Sequence, residues 1–130
     1  MPIYRGGCHC GRTRFEVTPL QGRALTRVSA CNCSICAGSG FLHWRIEPDE
    51  LRMLTPWENL SIYIWGTGRA RHYFCPVCGV APLRNPRSDP SKISVNARCI
   101  EGVDLAKLEL ERFDGRNWEA AQSKLKDWKS

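Results

Sequence analysis

Seven of the eight cysteines fall into three tight groups. Cys8 and Cys10 lie in GGCHCG, Cys31, Cys33 and Cys36 in CNCSICAGSG, and Cys75 and Cys78 in FCPVCG; Cys99 stands apart in NARC. In a reducing compartment ordinary thiols are kept from pairing, so close spacing of this kind favours metal over disulfides. A secreted, disulfide-knotted domain is the competing arrangement. The stretch MPIYRGGCHCGRTRF has neither the apolar run of a secretory signal nor the acid-free amphipathic pattern of a transit peptide. Elsewhere the apolar runs fall well short of the ~18 residues of a membrane span. The expected location is the cytoplasm, with no membrane partner.

The first and third groups combine into one site. Side chains two apart on an extended segment point the same way, so CHC is expected to aim Cys8 and Cys10 together and His9 away. CPVC is a tight knuckle in which turning backbone gathers Cys75 and Cys78, and Gly79 suits the bend. Four thiolates complete the tetrahedron of a zinc ion and leave no place for substrate. Such a closed, structural site contributes on the order of 10 kcal/mol to folding.

The second group is different. Cys31, Cys33 and Cys36 offer three ligands from six residues, and zinc sites that do chemistry commonly give the fourth position to water or substrate. Gly38 and Gly40 would let a ligand approach the backbone closely. Cys99 could instead fill that position and close the site, since eight thiols divide evenly between two ions. A redox or metal-buffering thiol cluster is a third arrangement. Spacing alone leaves all three open.

Between the cysteines the pattern is that of short strands. TRFEV alternates, with Phe15 and Val17 on one side and Arg14 and Glu16 on the other, and LSIYIWG does the same. RARHYF, KISVNA and KLELERF are further strands, so a mainly β protein is expected. Near the C-terminus Trp118, Ala121, Leu125 and Trp128 recur at helical spacing behind Asn117, a good N-cap, which predicts one short terminal helix. The proline-rich stretch 82–92 is expected to be a loop. With 130 residues the chain has the size of one domain, 1–130.

Composition excludes little more. Apolar residues at 42% and charged residues at 25% rule out a disordered or fibrous chain. The formal charge of +6 invites a nucleic-acid partner, but seven thiolates on two zinc ions would reduce it to about +3. No run of five or more Lys/Arg occurs, which argues against nucleic acid. His9 is expected to be exposed, and His43 and His72, beside aromatics in strand-like segments, to be structural.

Taken in order, GGCHCGRTRFEV, CNCSICAGSG, FCPVCGV, NARCIEGVD and FDGRNW resemble the glutathione-dependent formaldehyde-activating (GFA) family, whose relatives include centromere protein V. The resemblance implies several coiled antiparallel β-sheets of β-tent type held by two zinc ions. Cys8, Cys10, Cys75 and Cys78 would be the structural ligands, and Cys31, Cys33 and Cys36 would hold the catalytic zinc. The implied activity is that of a carbon–sulfur lyase, adding glutathione to formaldehyde. Three thiolates make zinc a weak Lewis acid, better suited to presenting sulfur than to making hydroxide. Asn96 and Arg98 become the expected substrate-binding residues, while Arg45, Arg69 and Arg71 are either partners for the carboxylates of glutathione or solvated strand residues. Cys99 becomes a neighbour of the site. The competing function is a non-enzymatic, zinc-stabilised binding module for nucleic acid or protein, whose affinity would fall steeply with salt if phosphate were the ligand.

Overall fold

The alternating stretches become strands. A computed structural model describes residues 2–20, 23–32, 34–64, 68–87 and 89–113. Its elements are β1 (Tyr4–Gly7), β2 (Arg14–Val17), β3 (Arg27–Cys31), helix α1 (Ser34–Ser39), β4 (Leu42–Ile46), β5 (Leu51–Met53), β6 (Ser61–Tyr63), β7 (Arg71–Phe74), β8 (Leu83–Asn85), β9 (Ile93–Asn96) and β10 (Glu109–Phe113). The protein is mainly β. A three-stranded sheet runs β1-β2-β5, and a seven-stranded sheet runs β10-β3-β4-β9-β8-β7-β6. All pairs are antiparallel except β10 with β3, which is parallel.

Period-two alternation divides the large sheet into an apolar and a polar face. Directly opposed residues share a face, so register extends each face across strands. Trp44, Val95, Leu83 and Tyr73 form one apolar row, with Ile46 and Ile93 beside it. These side chains meet Phe15 and Val17 of the small sheet in the core. Tyr4 sets its ring edge against Trp44 at 5.1 Å. Trp44 and Phe15 are fully buried, each worth roughly 2–3 kcal/mol of transfer free energy.

The opposite face carries Arg45, Ser94, Arg84 and His72 in one row and Ser29, His43 and Asn96 in the next. Several of these polar residues are buried: Ser94 is 1% exposed, Arg84 3% and His72 6%. A buried polar face requires hydrogen-bond partners, and this one meets Cys36 of α1.

Two expectations need correction. The stretch 82–92 is not loop throughout, because Leu83–Asn85 forms β8, paired with both β7 and β9. Pro82 and Pro86 bracket this strand, and a proline just outside a short strand removes no ladder donor. CHC is not extended: β1 ends at Gly7, and His9 and Cys10 lie in a turn. CNCSIC supplies a helix, α1. The helix expected around Trp118 to Trp128 lies outside the described residues. Among the described residues no helix is long and apolar enough to cross a membrane.

The loop before β3 is anchored by a buried carboxylate. Glu50 accepts the backbone N–H of Leu20 at 2.7 Å and of Glu47 at 2.8 Å, and pairs with Arg23 at 3.0 Å.

Candidate metal centre and the neighbouring thiol site

The turn after β1 and the turn after β7 bring four sulfurs to one point. Cys8, Cys10, Cys75 and Cys78 place their ligand atoms within 4.8 Å of one another. Cys8 Sγ is 3.7 Å from Cys10 Sγ, which is 3.5 Å from Cys75 Sγ. Local backbone explains both halves. Gly79 takes φ +80°, closing the knuckle with its N–H on the Cys75 carbonyl at 2.8 Å. On the other side, a Cβ on Gly6 would come within 2.4 Å of the Cys99 carbonyl oxygen, and one on Gly7 within 2.0 Å of the Thr13 carbonyl oxygen. The glycine pair ahead of Cys8 therefore lets β1 approach two neighbouring segments closely. Thr13 N–H points to Cys8 Sγ at 3.4 Å and Cys78 N–H to Cys75 Sγ at 3.5 Å; such donors favour thiolate sulfur.

The thiols divide their protons unevenly. Burial raises Cys8, but N–H groups of Thr13 and Gly11 and the thiols of Cys10 and Cys75 outweigh it, so the net shift is downward. The Val80 N–H, with help from the Cys10 N–H and the thiols of Cys75 and Cys10, brings Cys78 down to about 6 against burial. Cys10 receives the Arg12 N–H, yet burial and the three neighbouring thiols push it up to about 11. Four sulfurs this close cannot all ionise without a cation among them. A divalent ion would supply that charge, and the all-sulfur donor set and its mutual distances fit tetrahedral zinc.

Cys99 belongs to the surroundings of this cluster. Burial lifts its thiol to about 11, with the charges of Cys8 and Cys78 adding to the effect. It ends the 3₁₀ turn Ala97–Cys99, which Asn96 caps.

Two thiols of the second group are described, and Cys36 lies against the polar face of the large sheet through His43 and Arg84. Cys31 is the last residue of β3, and α1 carries the buried Cys36; Cys33 lies outside the described residues. Cys36 Sγ lies 3.3 Å from His43 Nε2 and accepts Arg84 Nη1–H at 2.9 Å. His43 Nδ1 is 3.2 Å from Ser94 Oγ. The Arg84 guanidinium stacks on the Phe41 ring, 4.1 Å from its centroid, and Phe41 packs against His43 at 4.6 Å. A sulfur approached by a guanidinium and an imidazole is in a setting that suits a thiolate ligand.

The expected substrate residues have other work in the fold. Asn96 is buried: its Oδ1 accepts N–H groups from Leu42 at 3.3 Å and Arg98 at 3.1 Å, and its Nδ2 donates to the Ala81 carbonyl at 3.1 Å. Arg98 is exposed and donates from Nε to the Gly40 carbonyl at 2.9 Å, which places it against the end of α1. Arg69 and Arg71 are exposed, and Arg45 lies in the polar row next to Ser94. His9 is exposed, as expected. Arg84 and Ser94 were not singled out by sequence, and His43 was read as structural. The signal for His43 was its place in a strand near a glycine-rich cysteine segment, but its contact with Cys36 depends on where α1 turns back.

A family model described as glutathione-dependent formaldehyde-activating enzyme matches residues 3–114. The chain is also similar to a crystal structure of a Rhodobacter sphaeroides protein, with 35% sequence identity, a TM-score of 0.68, and coverage of 82% of this chain and 98% of that one.

Proposed function

The chain belongs to the glutathione-dependent formaldehyde-activating enzyme family, and from that premise we propose that it is a carbon–sulfur lyase joining glutathione, or a similar thiol, to formaldehyde or another small aldehyde. The reading takes 1–130 as one domain, working in the cytoplasm, with two zinc ions. Cys8, Cys10, Cys75 and Cys78 hold the structural ion; Cys31, Cys33 and Cys36 hold the catalytic one. Bound zinc would supply a positive centre at which an incoming thiol loses its proton readily.

The chain's own residues do the rest. His43 Nε2, 3.3 Å from Cys36 Sγ, is in position to receive the proton of the incoming thiol, and Ser94 at Nδ1 fixes the orientation of the ring. The sulfur forms a bond to the aldehyde carbon, the carbonyl π pair moves to oxygen, and that oxygen takes a proton, which His43 can return. Arg98, beside Gly40 at the end of α1, is the candidate partner for a substrate carboxylate. Asn96 shapes the same wall through its bonds to Leu42 and Ala81.

The observation that carries this reading is the convergence of His43 on Cys36 above a buried polar face, in a chain of this family. The test is metal analysis followed by cobalt substitution. Two metals per chain are expected, with glutathione changing the cobalt spectrum and adduct formation appearing with formaldehyde. A spectrum that ignores glutathione overturns the proposal.

A further inference from the structure

Arg84 is 3% exposed. Among the described residues its guanidinium meets no carboxylate: Nη1 donates to Cys36 Sγ at 2.9 Å, the plane covers the Phe41 ring, and Nε has no hydrogen-bond partner. Burying a cation without a counter-anion is strongly disfavoured. Cation–π contact with Phe41 offsets a small part of that cost, so the sulfur is the group that answers the charge. Backbone register reinforces the placement. Arg84 on β8 sits directly opposite Ser94 on β9, and Ser94 in turn holds His43.

Resting on the function proposed above, we infer that Arg84 is a positioning residue of the second metal site, where it fixes the orientation of Cys36 Sγ and offsets negative charge. Three thiolates around a divalent ion carry a net charge of −1, and a site over a buried face needs a cation nearby to hold it. An N–H donated to a coordinated sulfur also withdraws electron density, which makes that sulfur a weaker donor to the metal. Arg84 thereby sets how tightly the ion is held and how much positive character it keeps for an incoming thiol.

The test compares R84M and R84K with the natural protein, using C36S as reference for the four-cysteine site. Zinc titration reads affinity, and the cobalt difference spectrum against C36S reads the second site alone. R84M is expected to hold the first ion normally and the second about 10-fold to 100-fold more weakly, because the lost compensating charge and sulfur orientation outweigh the stronger donation of a sulfur freed of its N–H. Its sulfur-to-cobalt charge-transfer band should move to lower energy, because the sulfur has lost its N–H donor. R84K, which keeps the charge but not the planar fork, should recover most of the affinity. If R84M does not fold, R84K is read by the same two measures, and a band shifted to lower energy supports the inference. Second-metal affinity and band position unchanged in the folded variant overturn it. A single metal per natural chain overturns this inference and the proposed function together, whereas two metals with a cobalt spectrum indifferent to glutathione overturn the proposed function alone.

Discussion

Cys10 Sγ lies 3.5 Å from Cys75 Sγ across 65 residues of sequence, so the turn that ends the first strand is fastened to the knuckle that follows β7. The fastening crosses from the small sheet to the large one. Without an ion the two turns are held by thiols alone. Chelation of the metal from this site is expected to remove on the order of 10 kcal/mol of folding free energy and so to unfold the chain. Circular dichroism during a chelator titration, with released zinc measured in parallel, checks this; native unfolding behaviour in fully metal-free protein would contradict it.

Serine at Cys31, Cys33 or Cys36 should act differently. Each variant is expected to keep the four-cysteine metal and the fold while losing the second ion. Adduct formation should fall by about 10³-fold, the several kcal/mol a metal commonly contributes to such a step. Metal counting by mass spectrometry together with an NMR assay of thiol–aldehyde adduct separates these effects.

Replacing His43 by Ala removes the imidazole beside Cys36 and leaves the cysteines in place. A general base is worth at least about 100-fold, so kcat should fall by that factor with little change in KM for glutathione. The acidic limb of the pH–rate profile should flatten in the same variant. A pH profile of unchanged shape would remove His43 from the reaction.

Two glycines should respond in opposite ways. Gly7→Ala pushes a Cβ to 2.0 Å from the Thr13 carbonyl oxygen, the acceptor of the Cys8 N–H, and is expected to cost about 2 kcal/mol or more and to weaken the first metal site. Gly38→Ala in α1 meets nothing within 4 Å and should stabilise the protein by up to ~1 kcal/mol. Thermal unfolding of the two variants side by side provides the comparison.

Glu50→Ala leaves the Leu20 and Glu47 N–H groups without their buried acceptor. A loss of about 3 kcal/mol is expected from the stranded donors and the broken pair with Arg23, read as a lower urea midpoint. Catalysis per folded molecule should be unaffected, because Glu50 lies on none of the strands that carry His43, Ser94 or Arg84.

The strands legible in the sequence were those with clean alternation, such as Arg14–Val17, where Phe15 and Val17 meet the core and Arg14 and Glu16 do not. The four-cysteine cluster was legible too, because two close pairs of thiols suffice to fill a tetrahedron, although a turn and not an extended strand brings Cys8 and Cys10 together. Arg84 was hidden for the opposite reason. Its strand is three residues long and flanked by prolines, so no local period could show itself, and only pairing with β7 and β9 makes it a strand. His43 looked structural because its role rests on register: it faces Asn96 across β9 and lies one row from Ser94, relationships that join residues some fifty positions apart. The close approach of Gly6 and Gly7 to other segments was likewise invisible, since a glycine does not announce what presses against it.

The parallel pairing of β10 with β3 sets Phe113 opposite Cys31, and the Asn32 N–H reaches the Phe113 carbonyl at 3.1 Å. During synthesis the segment bearing Cys31 leaves the ribosome some eighty residues ahead of its edge partner, so long-range closure of this kind comes late in folding. The four-sulfur staple can therefore form on a nascent chain whose Cys31 flank is still unzipped, and the strand edge beside that thiol closes only after β10 has emerged.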